Sequence, residues 1–175
     1  MKRTFAILVV LVLSIFPALA RPSSFAIGAQ LGFLSTGVVV DGHLGPVALD
    51  IGANFPAGIT YIDALSDNDD LNIEDSIFSM TADITVPINL GSDFSLKLGL
   101  GTTLFSDFSE YAVGLAGGVV KGEYWIKGGP FGLFVKMDLP LLLYAIGESS
   151  AAGGFNAALP LLGILTSTVG FLYAL

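Results

Sequence analysis

Hydrophobic and polar residues alternate with a period of two along most of this chain. In residues 47–55 one face carries Val, Leu, Ile, Ala and Phe, whereas the other carries Ala, Asp, Gly and Asn. The same alternation runs through residues 25–33, 76–86, 94–101 and 131–139. Because successive side chains of a strand point to opposite faces, the pattern predicts β-strands with one apolar face and one face of small and polar residues.

Short and long connections alternate between these predicted strands. The short ones are residues 45–46, 89–93 and 128–130, and the longer, more polar ones are residues 56–75, 106–110 and 147–154. The short connections are rich in Gly, Pro, Asn and Asp, which favour tight turns. Strands of about ten residues, with tight turns at one end and larger loops at the other, are typical of a transmembrane barrel, whose tilted strands need ~9–11 residues.

The number of strands is open between two values. Residues 35–43 and 115–127 each fit either one long strand or a tight hairpin. At roughly nineteen residues for a strand and its connection, residues 21–175 hold about eight strands, and ten is the alternative. A shift of the alternation at Gly117-Gly118 predicts a β-bulge.

Composition favours a membrane sheet over a soluble one. The chain is 53% hydrophobic and only 13% charged, against about a quarter charged residues in soluble domains, and it contains 22 glycines. A soluble β-sandwich would show Lys, Glu and Gln on its polar face, whereas this face is mostly Gly, Ala, Ser and Thr, which suit a narrow barrel interior. We therefore predict an all-β fold, a closed antiparallel transmembrane β-barrel. The absence of Cys excludes disulfides, and a net charge of −8 argues against nucleic acid as a partner.

The first twenty residues have the three parts of a secretory signal peptide. Lys2 and Arg3 form a positive start, residues 5–16 are apolar and uncharged, and Ala18-Leu19-Ala20 provides small residues before a cleavage site. The apolar run is shorter than the ~20 residues of a spanning helix. We therefore expect residues 1–20 to be a signal peptide and residues 21–175 to form the barrel domain.

The C-terminal residues alternate to the end of the sequence, with Val169, Phe171, Tyr173 and Leu175 on one face. This resembles the C-terminal strand of bacterial outer-membrane barrels, which usually ends in Phe where this chain has Leu175. With the signal peptide and the strand pattern, the chain resembles, in architecture, the small barrels of the OmpA, OmpX and OmpW type. The resemblance implies export through the periplasm to the outer membrane, membrane lipids as partners, and recognition of the C-terminal strand by the barrel-assembly machinery. A monomer is expected, although the oligomeric state stays open.

Two other classes of protein remain as alternatives. Residues 149–175 carry no charge and are long enough to span as a helix, so a helical inner-membrane protein is one; Pro160 and four glycines oppose it. A membrane-embedded lipid-modifying enzyme is the other, because His43 with Asp41 or Asp50 offers one element of a catalytic site. No second catalytic signal accompanies His43. We therefore predict a barrel that is not an enzyme and binds no cofactor or metal, with a structural, surface-interaction or narrow-conduit role.

Seven charged residues fall on the small-residue face and are predicted to point into the lumen. They are Asp50, Asp83, Lys97, Lys121, Glu123, Lys136 and Asp138. A lysine on the lipid face at mid-depth would cost about 2–4 kcal/mol, so the interior is the favourable location. Because eight strands enclose a space that side chains fill, we expect these charges to form a network of ion pairs, with a polar conduit as the alternative.

One predicted loop is strongly acidic. It contains Asp63, Asp67, Asp69, Asp70, Glu74 and Asp75. We expect a solvated surface loop, with divalent-cation binding as the alternative, since the glycine of an EF-hand loop is missing. The aromatic residues Tyr61, Tyr111, Tyr124, Trp125, Tyr144 and Tyr173 are candidates for the girdles that barrels place at membrane interfaces.

Overall fold

The computed structural model of the protein describes residues 23–65, 77–106, 111–147 and 150–175. The chain folds as antiparallel strands with little helix. The strands are β1 (Phe25–Gly32), β2 (Thr36–Leu44), β3 (Val47–Phe55), β4 (Phe78–Asn89), β5 (Phe94–Ser106), β6 (Tyr111–Trp125), β7 (Phe131–Gly147), β8 (Ser150–Phe155) and β9 (Thr168–Ala174). The helices are α1 (Ala57–Leu65) and α2 (Gly163–Thr166), with 3-10 turns at Ile126–Gly128 and Leu159–Leu162.

Eight of these strands close into a barrel. Each strand from β1 to β7 pairs with the next, and β9 pairs with both β7 and β1. The prediction of a closed antiparallel barrel of about eight strands is therefore confirmed. Both regions that were ambiguous between a strand and a hairpin form single strands, β2 and β6.

The two ends of the barrel differ in their connections. The turns that join β2 to β3, β4 to β5 and β6 to β7 all lie at one end, which we call the short-turn end. Gly45 and Gly128 adopt φ of +67° and +64° in two of these turns, a conformation that glycine accepts without steric cost. At the opposite end, the loop end, α1 follows β3, and Gly58 donates a backbone hydrogen bond to Phe33 O at 2.8 Å.

The last strand of the wall is interrupted. Strand β8 pairs with β7 residues 142–147, and β9 pairs with β7 residues 131–136. Between them the chain leaves the sheet and forms the 3-10 turn Leu159–Leu162 and helix α2, which pack against β7. Residues 147–154 were predicted as a polar connection, and this was wrong in part, since residues 150–155 form β8.

The predicted bulge is present, although the extra residue is on the neighbouring strand. Ala116 pairs with Leu142 whereas Gly117 pairs with Pro140, so Leu141 of β7 has no partner on β6. Pro140 lacks the N–H that a regular ladder would use, which explains why the register shifts there.

Polarity is inverted relative to a soluble protein. Along β3 and the first two thirds of β4 exposed and buried residues alternate strictly, and the exposed ones are mostly apolar. The buried residues are largely Asp, Lys, Ser and Thr. Since the sheet is closed, the buried face is the inside of the barrel, and its charges are therefore enclosed.

A small apolar cluster lies inside the barrel toward the short-turn end. It contains Ala26, Val39, Trp125, Phe134, Leu172 and Ala174. Trp125 is the largest fully buried side chain of the part of the chain that the structure describes, and its ring fits against Gly132, where a Cβ would lie 3.0 Å away.

Across residues 23–65, 77–106, 111–147 and 150–175, no helix combines the length and apolarity that crossing a membrane would need.

Candidate functional site: the charged interior

Charges of one sign lie side by side in the sheet, and charges of the other sign face them across the interior. Asp41 pairs in register with Asp50, and Asp50 with Asp83, so β2, β3 and β4 carry an acid row. The lysine row occupies β5, β6 and β7 in the same way and consists of Lys97, Lys121 and Lys136. Like charges on directly paired positions repel, so each row depends on the other for its stability.

The first contact between the rows is the Lys121 cluster, which comprises Asp41, Asp50, Lys97, Lys121 and Glu123. Lys121 Nζ lies 2.7 Å from Asp41 Oδ2, 3.1 Å from Asp50 Oδ2 and 2.9 Å from Glu123 Oε1. Lys97 Nζ contacts Asp41 Oδ2 and lies 2.7 Å from Glu123 Oε1. The Lys121 ammonium also lies 4.7 Å from the centre of the Phe134 ring, a cation–π contact.

The second contact is the Lys136 cluster, which comprises Asp83, Lys136 and Asp138. Lys136 Nζ lies 2.9 Å from Asp83 Oδ2 and 3.3 Å from Asp138 Oδ1. On both β6 and β7 an acid follows the lysine by two residues and contacts it. Lys121 therefore binds two acids from across the interior and one from its own strand, and Lys136 binds one of each.

The interior becomes polar but uncharged toward the loop end. Gln30 Nε2 donates a hydrogen bond to Asn54 Oδ1 at 2.7 Å, and Ser79 Oγ donates one to Leu34 O at 3.0 Å. From the short-turn end to the loop end, the barrel therefore contains an apolar layer, a layer of ion pairs and a layer of amides and hydroxyls. The contact between Lys121 and the Phe134 ring connects the apolar layer to the layer of ion pairs, and side chains occupy the interior.

The structure places all seven charged residues that were predicted for the lumen inside the barrel, each at most 8% exposed. Five of them contact a residue of opposite charge across the interior. Glu123 and Asp138 contact lysines of their own strands. Lys127 lies in the turn after β6 and is exposed.

Asp41 is the member of the site that was missed. It is fully buried and contacts both Lys97 and Lys121. The sequence carried a signal for it, because Asp41 is an isolated charge directly after a run of valines, where an inward position is favourable. That segment was ambiguous between a strand and a hairpin, so the face of Asp41 was not assigned.

His43 is buried beside the Lys121 cluster, with its Nε2 3.8 Å from Asp41 Oδ1. This places it next to one of the two acids considered for it. No group of three or more His, Asp or Glu side chains within the described ranges is arranged to hold a metal ion.

Two other sets of predicted residues have different outcomes. In the acidic set, Asp67, Asp69, Asp70, Glu74 and Asp75 lie outside the described residues, and for Asp63 the structure describes only a backbone position in α1.

Trp125 cannot belong to an interface girdle, because it is completely buried inside the barrel. Its position at the end of β6 is where a girdle residue would stand, but it belongs to the inward face of the strand.

Comparisons with protein-family models and with curated proteins find no match to this chain.

Proposed function

We propose that this chain is a barrel embedded in a bacterial outer membrane, where it serves as a non-conducting scaffold and interaction surface. The observation that carries this proposal is the inverted polarity of the wall. Charged side chains of β2 to β7 are enclosed, whereas the apolar side chains that alternate with them point outward. Only an apolar environment makes this arrangement favourable along the whole barrel.

The outward apolar surface extends around the barrel. Among its members, each at least 39% exposed, are Ile27, Val40, Ile51, Met80, Ile84, Leu98, Leu100, Leu133, Val135, Met137, Val169 and Phe171. Soluble monomers rarely expose contiguous apolar patches larger than a few hundred Å². A continuous surface contributed by every strand of the wall fits contact with lipid acyl chains.

The filled interior argues for a scaffold and against a conduit. The Lys121 cluster lies between the walls, with its opposite charges in direct contact. Below it, Trp125 occupies the short-turn end. An ion crossing this interior would have to break several buried ion pairs, each of which costs about 3–5 kcal/mol when one partner is lost.

The closing strand supports assembly in the outer membrane. Strand β9 pairs with β1 over seven residues and completes the barrel. Its outward residues Val169, Phe171 and Tyr173 are apolar and about half exposed. We propose that this strand is the segment through which the barrel-assembly machinery receives the chain.

Cysteine labelling tests the proposal directly, because the chain contains no Cys. Met80→Cys introduces a thiol on the outward face of β4, where Met80 is 53% exposed, and Thr81→Cys introduces one on the inward face, where Thr81 is 3% exposed. In protein refolded into lipid vesicles, we expect a water-soluble maleimide to leave position 80 unmodified, because only the thiolate reacts and a thiol in lipid stays protonated. A nitroxide attached to position 80 before refolding should be relaxed by oxygen, which enters lipid, and not by a water-soluble nickel chelate. Position 81 should not react with the maleimide until the protein is denatured.

Lys127→Cys, in an exposed turn, is the control for accessibility to water. If the thiol at position 80 reacted with the water-soluble reagent as fast as the thiol at position 127, the outward surface would face water. The proposed membrane location would then be wrong, although the barrel fold would stand.

A further inference from the structure

The hairpin of β7 and β8 projects beyond the closed ring at the loop end. Strand β9 reaches β7 only at residues 131–136, whereas β7 continues to Gly147. From Leu141 to Gly147 every residue of β7 is exposed or half-buried, and residues 152–155 of β8 are all exposed. Both faces of this hairpin are therefore accessible from outside the filled interior.

Strand β8 leaves one edge of the hairpin open. It pairs with β7 along its whole length, and among the described residues no strand pairs with its other side. Asn156 N donates a hydrogen bond to Leu141 O at 3.2 Å, which fixes the alternation of this antiparallel ladder. The backbone N–H and C=O groups that point away from β7 are therefore those of Ala151, Gly153 and Phe155.

This open edge lacks the features by which proteins usually prevent a strand from pairing with another chain. Such edges are commonly protected by lysine, proline or a β-bulge. Residues 150–155 contain no charged residue and no proline, and their register with β7 is continuous. Gly153 and Gly154 carry no side chain that would hinder a second backbone. The edge is therefore open to strand addition.

The loop end is also strongly acidic in sequence. Its connections, residues 56–77, 107–110 and 148–149, contain six, two and one acidic residues, respectively, and no Lys or Arg. The three short turns at the opposite end contain one acid and one lysine, Asp93 and Lys127. A polypeptide that approaches the loop end is therefore attracted when it is positively charged and repelled when it is acidic.

We propose that β8 accepts an extended, positively charged segment of a partner protein as an additional strand. Backbone hydrogen bonds to the open edge hold the segment, and the acidic loop end selects its charge. The inference rests on the proposed function, for which it names the class of partner, and the edge lies outside the hydrocarbon layer because open sheet edges do not occur there. A second copy of this chain is a poor occupant, since its own loop end is equally acidic.

Binding of a synthetic peptide of alternating Lys and Val to the refolded full-length chain in non-ionic detergent tests this proposal. We expect the bound peptide to protect the amides of Gly153 and Phe155 from hydrogen exchange. Gly153→Pro should weaken binding about tenfold, because it removes a donor of the open edge and leaves the bonds to β7 in place. Gly154→Ala is the matched control and should bind normally, because the backbone groups of Gly154 face β7 and nothing lies within 4 Å of the added Cβ.

A peptide of alternating Glu and Val should bind about tenfold more weakly than the Lys peptide at low salt. Should Gly153→Pro fail to fold, Ala151→Pro removes another donor of the same edge. Equal binding of the Lys peptide by Gly153→Pro and the unaltered chain, or equal binding of the two peptides, would overturn the proposal. A dimer that Gly153→Pro converts to a monomer would also overturn it and assign the edge to a second copy. Labelling at position 80 reports the membrane location independently of these results.

Discussion

At the scale of single residues, Lys121 is the centre of the interior. Its ammonium group reaches acids on two other strands and one on its own strand, and it also contacts the Phe134 ring. The three acids it neutralises are each at most 3% exposed. Removing this one cation therefore leaves carboxylates buried close together with only Lys97 between them.

We predict that Lys121→Met destabilises the barrel by about 3–5 kcal/mol, because it breaks a buried pair and leaves uncompensated charge. Lys127→Met is the control, since Lys127 is exposed in a turn, and it should change stability by less than about 0.5 kcal/mol. Urea unfolding followed by the fluorescence of the single Trp125 measures both variants. Equal midpoints for the two variants would contradict the central role of Lys121.

The sequence predicted which face of a strand each charge occupies, but not which charges meet. Period two is a local property, so Asp50, Lys97 and Lys136 were assigned to the interior from their neighbours alone. Their pairing depends on register between strands that are distant in sequence. The acid row, the lysine row and the position of Asp41 became visible only when the barrel closed.

At the scale of elements, the interrupted wall next to β7 is the least regular feature. The alternation in the sequence located β1, β3, β4 and β9 within a few residues. It also located the starts of β5 and β7, although both strands extend well beyond the predicted residues 94–101 and 131–139. It did not reveal the break between β8 and β9, because Gly, Pro and Leu in this region fit a loop, a turn or a helix equally well. The break is determined by packing, in which Gly163 lies directly against the backbone of β7.

Gly163→Ala should destabilise the barrel by about 1–3 kcal/mol, the typical cost of overpacking. A Cβ at this position would lie 1.9 Å from Asp138 O, a backbone atom of β7 that cannot easily move. Gly154→Ala is the matched control, because nothing lies within 4 Å of the added Cβ. Thermal unfolding of both variants in the same detergent separates them, and a Gly163→Ala variant as stable as Gly154→Ala would show that α2 does not pack tightly against the wall.

At the scale of the whole molecule, closure and filling act together. Closure gives every strand of the ring two partners, and the enclosed side chains occupy the space between them. A barrel of eight strands has an interior that side chains are able to fill, and in this one many of them are charged residues in direct ion pairs. The enclosed ion pairs therefore both hold the strands of the wall together and close the passage along the axis.

We accordingly predict no discrete conductance when the purified barrel is inserted into a planar lipid bilayer. The ion pairs and Trp125 block the passage of ions along the axis. A porin with a water-filled lumen, inserted by the same procedure, is the control for insertion and detection. Reproducible single-channel steps from this chain would contradict a sealed interior and support the conduit role.

The arrangement of the two charged rows has a consequence for how the molecule forms. The turn between β4 and β5 divides the chain into two halves. The front half contributes only acids to the ion pairs with lysine, and the rear half carries every buried lysine of the described strands. A hairpin array made from the front half alone gathers Asp41, Asp50 and Asp83 without a lysine. In the rear half Glu123 and Asp138 offset two of the three lysines and leave an excess of positive charge. Intermediates of this kind are penalised, whereas the two halves attract each other before any hydrogen bond joins them. The electrostatics of the two rows therefore favour the closed ring over a sheet built from the front half alone.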